Sequence, residues 1–332
     1  MKIYTPDYYH KFHCIASDCP DSCCKEWEVD VDADAAAFYR ALPGELGDRL
    51  RQVLRDTEDG TVMTIENGRC PMWRQDGLCR IQAELGHDAL CFTCREFPRL
   101  THDYGDFMER GLELSCPEAA RLILSSDECY TCETVPGGEE PEYDAEIMSI
   151  LLRSREEVLS FLDRTDLPLN QALAVVLLFA HNVQAALDGG EYVPLDASDC
   201  LALAVRYAGT PDWTGFADFF KNLEILTPQW RTRLDSPLSP TPWTKKFLAL
   251  LRYGIRRYWL QAVSDFDLVC RVKLIIAMCL MVNALGGDTV QTAQLFSKEI
   301  ENDADNVDAI LDGAYSSPAF TDVNLLSLLL CP

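Results

Sequence analysis

The chain has 332 residues, 29 of them lysine or arginine against 53 aspartate or glutamate, for a formal net charge of −24. That balance argues against nucleic acid and against anionic membrane surfaces, both of which call for a basic face, and it suits a basic partner such as a lysine-bearing protein. Hydrophobic residues make up 48%, enough for sizeable cores, and the length suggests about two domains.

The opening Met1-Lys2-Ile3-Tyr4-Thr5-Pro6-Asp7 lacks the charged-then-apolar pattern of an export signal, so a cytoplasmic location is expected. Helices are predicted over 33–42 and 46–55, parted by Pro43-Gly44, and over 117–125. Short strands are predicted at 62–65 and at 107–114, the latter opposite 100–104 across Gly105-Asp106. The rest of residues 1–132 reads as loop, as expected where ligands rather than a core fix the backbone. Residues 133–146 are acidic and rich in turn formers, and read as a linker or exposed loop.

From there the apolar spacing is helical: 147–162, 169–187, 197–207, 216–226, 244–263, 266–285 and 290–301. Asp196-Ala197-Ser198-Asp199 supplies a cap, Ser239-Pro240-Thr241-Pro242 a break, and Gly189-Gly190 and Gly286-Gly287 read as helix stops. The longest apolar runs, 172–180 and 274–282, fall short of the roughly 20 residues that span a bilayer and read as buried helices. The fold class expected is mainly α: an irregular cysteine-rich N-terminal part (1–132) with a few short strands, then an all-helical bundle (147–332).

Nine of the 15 cysteines lie within the first 116 residues: Cys14, Cys19, Cys23, Cys24, Cys70, Cys79, Cys91, Cys94 and Cys116. Cys129 and Cys132 follow, and Cys200, Cys270, Cys279 and Cys331 are scattered. An odd count in a chain long enough to need no staples favours metal or cluster ligation over disulfides. Sulfur donors suit zinc or an iron–sulfur centre, not magnesium or calcium. Either centre wants four ligands, so nine thiols leave open two centres, or one centre with some thiols merely buried. Cys23 and Cys24 are adjacent and point apart, so they are not expected to serve one ion equally.

The run Cys14-Ile15-Ala16-Ser17-Asp18-Cys19-Pro20-Asp21-Ser22-Cys23-Cys24-Lys25-Glu26-Trp27 resembles the opening of the flagellin lysine-N-methylases. So do Gly77-Leu78-Cys79-Arg80-Ile81-Gln82, Thr93-Cys94-Arg95-Glu96-Phe97-Pro98-Arg99, Leu114-Ser115-Cys116-Pro117-Glu118 and, far downstream, Lys298-Glu299-Ile300-Glu301 with Asn306. The cysteine block also resembles a broader group of putative zinc- or iron-chelating domains. The methylase resemblance implies transfer of methyl groups from S-adenosylmethionine to lysines of a flagellin-type protein of the bacterial flagellum. It also implies an iron–sulfur cluster (4Fe-4S). Carried over residue by residue, its cysteines are Cys14, Cys19, Cys23, Cys24, Cys70, Cys79, Cys94 and Cys116. Cys91, Cys129 and Cys132 fall outside that pattern.

Bottom-up chemistry agrees in part. No glycine-rich strand–turn–helix for a sulfonium cofactor is visible. Cys19-x3-Cys23 is followed by Cys24, not by a cysteine at position 26, so a radical route rests on the resemblance alone. Arg95 and Arg99 are candidates for the cofactor carboxylate, with a structural ion pair as the plainer role. Glu299, Glu301 and Asn306 are candidates for binding the substrate lysine or acting as a base; the plainer reading is a solvated acidic helix end. His13, beside Cys14, could replace one cysteine. Trp27, Trp73 and Phe97 are expected to shield the centre. Tyr253, Arg256, Arg257, Tyr258 and Trp259 read as helix packing with snorkelling arginines. The reading from another class is a non-catalytic zinc- or iron-binding module, with metal storage or redox sensing as a third.

Overall fold

The β-branched and aromatic residues Ile3, Tyr4 and Thr5 favour a strand at the N-terminus that the predicted elements do not include. In the computed structural model, which describes residues 1–24 and 28–331, β1 (Lys2–Pro6) buries Ile3 and Thr5 and starts the fold. The other strands are β2 (Val29–Val31), β3 (Leu54–Asp56), β4 (Thr61–Met63), β5 (Arg99–Asp103), β6 (Phe107–Leu112) and β7 (Tyr130–Thr134). A four-stranded sheet runs β5-β6-β1-β7, with β1 parallel to β6 and antiparallel to β7. The β5–β6 hairpin turns at Gly105, where φ is +89°, a conformation that costs glycine little. A smaller antiparallel sheet runs β2-β4-β3. The N-terminal part is therefore more regular than expected. Three-residue strands such as β2 and β3 are too short for alternation to be read from sequence.

Five short helices accompany these sheets: α1 (Ala33–Ala41), α2 (Gly44–Val53), α3 (Arg80–Leu85), α4 (Phe92–Glu96) and α5 (Pro117–Ile123). Ten more follow: α6 (Ala145–Arg164), α7 (Leu169–Leu187), α8 (Ala197–Tyr207), α9 (Trp213–Lys221), α10 (Pro228–Asp235), α11 (Lys245–Tyr258), α12 (Val269–Leu285), α13 (Thr289–Phe296), α14 (Ala304–Ser316) and α15 (Asp322–Leu330). Asp144, Asp196, Asp212, Asp288 and Asp303 each accept a backbone N–H at the start of one of these, satisfying donors that a helix leaves open. Gly189 and Gly286, at φ +91° and +67°, stand just past α7 and α12 as the stops read from sequence.

The predicted helix 244–263 is not continuous: it tightens into a 3-10 segment at Trp259–Val263. The predicted helix 290–301 ends in a π turn at Ser297–Glu301.

Helix α12 is buried along its whole length and packs against α7, α11, α13, α14 and α15. Its approach to α11 is close at Gly254, where an added Cβ would stand 2.8 Å from Ile275 Cγ2. Gly254→Ala is expected to overpack this crossing and cost about 1–3 kcal/mol, read as a lowered urea midpoint. The apolar run in α7 belongs to a 19-residue helix, longer than the run itself, and by length and composition it could cross a bilayer. In this fold its apolar side chains, Leu173 to Leu177 among them, are buried against α6, α8, α12 and α15.

Two hydrophobic cores result. The larger gathers the helices from α6 onward together with Tyr8, Phe12, Phe107, Leu112 and Leu114 from the first sheet and the segments around it. The smaller gathers Val29, Tyr39, Leu50, Met72, Ile81 and Cys91.

One buried cation ties the larger core together. Lys273 of α12 donates to the Ala314 carbonyl at 2.9 Å and pairs with Asp322 at 3.1 Å, while His181 Nε2 stands 3.1 Å from the same carboxylate. Burial pushes the Asp322 carboxyl up, but His181 and then Lys273 outweigh it and bring it down to about 2. A folded-state value below the ordinary 3.8 means the contribution is present above pH 3.8 and fades as pH falls toward 2. Acid unfolding of the wild type should therefore be steeper in that window than that of Asp322→Asn, and equal slopes would contradict the pairing.

Candidate functional site

The thiols are brought together from five separate stretches of backbone. Cys14, Cys19, Cys23 and Cys24 lie on the segment after β1, whose one helical turn is a 3-10 turn at Ala16–Asp18. The Cys24 carbonyl accepts the Cys70 N–H at 2.7 Å, joining this segment to the smaller core, where Cys70 is buried. Cys79 and Cys116 occupy the positions that open α3 and α5, and Cys94 lies within α4, whose opening position is Cys91. Backbone N–H groups at the starts of α3 and α5 lower the Cys79 and Cys116 thiols, but burial is the larger effect and raises both. All 15 cysteines are free thiols.

Seven of these, Cys14, Cys19, Cys23, Cys24, Cys79, Cys94 and Cys116, line one cavity of about 390 Å³. Cys70 stands behind it, hydrogen-bonded to Cys24. Cys91 is buried and bonded to Cys94 rather than facing the cavity. Neither Cys129 nor Cys132 lines it. Phe97 and Pro98 contribute to the wall, whereas Trp73 stacks under Arg69 away from it, and Trp27 lies outside the described residues. His13 is at the rim, its Nδ1 3.1 Å from the Lys11 carbonyl.

Burial and neighbouring sulfurs push most of these thiols up, while Cys70 and Cys91 are drawn down. A hydrogen bond given to Cys24 and then burial push the Cys23 thiol far up. Cys24 is drawn down by that bond, but its contact with Cys70 and burial carry it to about 12. Burial, with Cys19 and Cys23 nearby, takes Cys116 to about 12. Cys91, accepting from Cys94, falls to about 7, and Cys94 rises far above the ordinary range. Such a cluster repels added negative charge until a soft cation supplies the opposite charge, and then the thiols deprotonate as ligands. The donor chemistry therefore fits zinc or an iron–sulfur centre. As placed, no three Cys, His, Asp or Glu groups among the described residues are spaced to hold a metal ion, so distances single out no ligand set.

Arg95 and Arg99 also line the cavity. Arg95 is half-exposed with a 3.5 Å pair to Glu96, and Arg99 lies over Phe12 at 5.4 Å. Both guanidinium groups keep donors for an anionic ligand.

Glu299, Glu301 and Asn306 do not line this cavity. They are also not a solvated helix end: Glu299 and Asn306 are buried, and the Glu301 side chain is 1% exposed. Glu299 and Glu301 lie in the π turn, whose added residue lets positions of this turn face inward, and Asn306 lies in the first turn of α14, its N–H held by Asp303. Glu299 accepts the Leu226 N–H at 2.8 Å. Asn306 accepts from Glu224 N–H and donates to the carbonyls of Glu224 and Glu299, bracing the 224–226 loop. Asn306→Ala should leave these groups unsatisfied and cost about 1–3 kcal/mol in a urea titration.

Glu301 accepts hydrogen bonds from Tyr258 at 2.6 Å and Tyr253 at 3.2 Å and pairs with Arg257 at 3.2 Å. Arg257 therefore does not snorkel; its side chain is 13% exposed and its charge is spent inside. Arg256 lies over the Tyr130 ring at 4.4 Å, against the first sheet.

The residue of this turn that does reach the thiols is one that sequence reasoning passed over. Lys298 lines the cavity and binds Asp21, and Gln294 binds Asp21 and the Ser115 carbonyl. Lys298 opens the Lys298-Glu299-Ile300-Glu301 stretch, which is its signal in the sequence; Gln294 lies outside that stretch.

Comparison with known proteins gives relatives in Salmonella. Over 138 residues, 38% of this chain, the flagellar biosynthetic protein FliU of Salmonella muenchen is 30% identical, and the match covers 78% of FliU. The chain belongs to the FliU family. Lysine-N-methylases of Salmonella typhimurium and Salmonella choleraesuis are also 30% identical over 138 residues, but the match covers only 33% of each. The chain thus matches about a third of the length of these methylases. No family model matches the chain, and no solved structure matches it.

Proposed function

We propose that this chain is a protein-lysine N-methyltransferase that takes its methyl group from S-adenosylmethionine and acts on a flagellin-type protein in a reducing, cytoplasmic setting. The observation that carries the reading is the convergence of seven thiols on one cavity in a relative of the lysine-N-methylases. The ligands of an iron–sulfur cluster would be drawn from Cys14, Cys19, Cys23, Cys24, Cys79, Cys94 and Cys116, with Cys70 behind Cys24. A cluster with one open iron supplies a site for a ligand that carries an amine and a carboxylate. Arg95 and Arg99 at the wall would hold that carboxylate by charge-assisted hydrogen bonds. Phe12, Leu90 and Phe97 keep water from the far wall. The net charge of −24 would draw a lysine-rich surface toward the protein.

The test is a methylation assay with protein purified without oxygen, S-adenosylmethionine and a flagellin-type protein, read by mass spectrometry of the acceptor lysines. Methyl gain that Arg95→Ala and Arg99→Ala reduce through a raised KM for the cofactor supports the assignment. Zinc-loaded protein that methylates nothing would instead establish the non-catalytic metal-binding module.

A further inference from the structure

The segment 14–24 carries four of the cavity thiols but has little backbone structure of its own. Among the described residues its local bonds include Asp18 N–H to the Ile15 carbonyl at 3.0 Å, Cys19 N–H to the Ala16 carbonyl at 3.1 Å, and Cys24 N–H to Ser22 Oγ at 3.1 Å. A loop so lightly bonded needs outside support to present sulfurs in one arrangement. One support is the Cys70 N–H on the Cys24 carbonyl at 2.7 Å, and another comes from the far end of the chain. Lys298 Nζ stands 3.0 and 3.3 Å from the two carboxylate oxygens of Asp21, which lies between Cys19 and Cys23. Gln294 Nε2 donates to Asp21 at 3.2 Å and to the carbonyl of Ser115, the neighbour of Cys116, at 2.8 Å.

Gln294 and Lys298 are four residues apart, on one face of α13 and its π turn, so both reach the same carboxylate. Lys298 is 2% exposed, and a charge buried to that degree is retained where it is paired and hydrogen-bonded.

We propose that Lys298 and Gln294 are positioning residues: through Asp21 and the Ser115 carbonyl they hold the Cys19–Cys23 loop and the Cys116 turn in place on the thiol cavity. In this role they act through the loop. The consequence is a dependence of the N-terminal thiols on a helix 277 residues away in sequence. The inference deepens the metal-site reading but does not depend on it, because the loop is held with or without a metal.

The experiment uses the full chain treated with a chelator, an aromatic disulfide as thiol probe, and peptide mapping to give a rate for each cysteine. Lys298→Met and Asp21→Asn should each speed reaction at Cys19 by about tenfold, corresponding to loss of one charged hydrogen-bonded contact. Rates at Cys129 and Cys132, which lie off the cavity, should not change. The double variant should be slower than the product of the two single effects predicts, because both variants weaken the shared Lys298–Asp21 pair. Asp21 is on a partly exposed loop, so Asp21→Asn serves if Lys298→Met fails to fold.

Unchanged rates at Cys19 in the folded variants, a double variant that reaches that product, or an equal rise at every cysteine would overturn the proposal. A parallel titration with cobalt(II), followed by its thiolate absorption, separates the two readings. Wild type that binds no cobalt but shows the rate pattern would sink the metal site and keep the positioning role.

Discussion

Glu301→Leu should destabilise the folded chain by about 3–5 kcal/mol, one of the largest losses from a single side chain. The carboxylate is buried and answers three partners at once: Tyr258, Tyr253 and Arg257. Burial works against the charge on Arg257, and the surrounding cluster of Tyr253, Tyr258, Glu301 and Glu113 outweighs it. Remove Glu301 and the guanidinium loses its paired carboxylate in the interior, which costs more than the pair was worth. Glu301→Gln keeps the shape and one acceptor oxygen, so its loss should be smaller but of the same sign. Urea midpoints for the two variants give the order Leu below Gln below wild type. Were Glu301 instead a base acting on substrate, Glu301→Gln would abolish activity at unchanged midpoint.

The second large effect concerns the thiols. Cys19→Ser and Cys94→Ser should each lower metal retention and methyl transfer by more than about a hundredfold, since a hydroxyl is a poor ligand for a soft ion. The fold should survive: both positions face a cavity and lie outside the two hydrophobic cores. A stability change within about 1 kcal/mol is expected, as for sites that make no core contact. Cys129→Ser and Cys132→Ser, on exposed positions away from the cavity, are the controls and should retain both metal and activity. Equal losses in all four variants would show that thiol count, not the cavity, governs the behaviour.

Much of the helical architecture is legible because burial imposes a period. Helices α7 and α8 match their predicted bounds, and α6 and α12 differ only at their ends. Helices α10, α14 and α15 escaped notice. In α15 apolar residues crowd most of the surface, so no face stands out, and α10 is short with a proline start. The π turn has no sequence sign at all, since one added residue in a helix changes no local propensity.

At the site, cysteine density marks the stretches whose thiols converge on one cavity. What spacing cannot supply is which sulfurs face one cavity. Cys70 sits behind it and Cys91 pairs with Cys94 because of contacts made between separate stretches of backbone. The Asp21–Lys298 pair is the clearest instance. Its partners are 277 positions apart, and nothing in either neighbourhood names the other. Likewise Arg257 looked like a surface arginine on an amphipathic helix until the π turn brought Glu301 beneath it.

The most direct test of the thiol site is metal and acid-labile sulfide content of protein purified without oxygen, with its absorption spectrum. The account predicts about four irons and four sulfides per chain, bleached by reductant and lost in Cys19→Ser and Cys94→Ser but kept in Cys129→Ser. Protein that holds neither iron nor sulfide, or that keeps both after Cys19 and Cys94 are replaced, would contradict it.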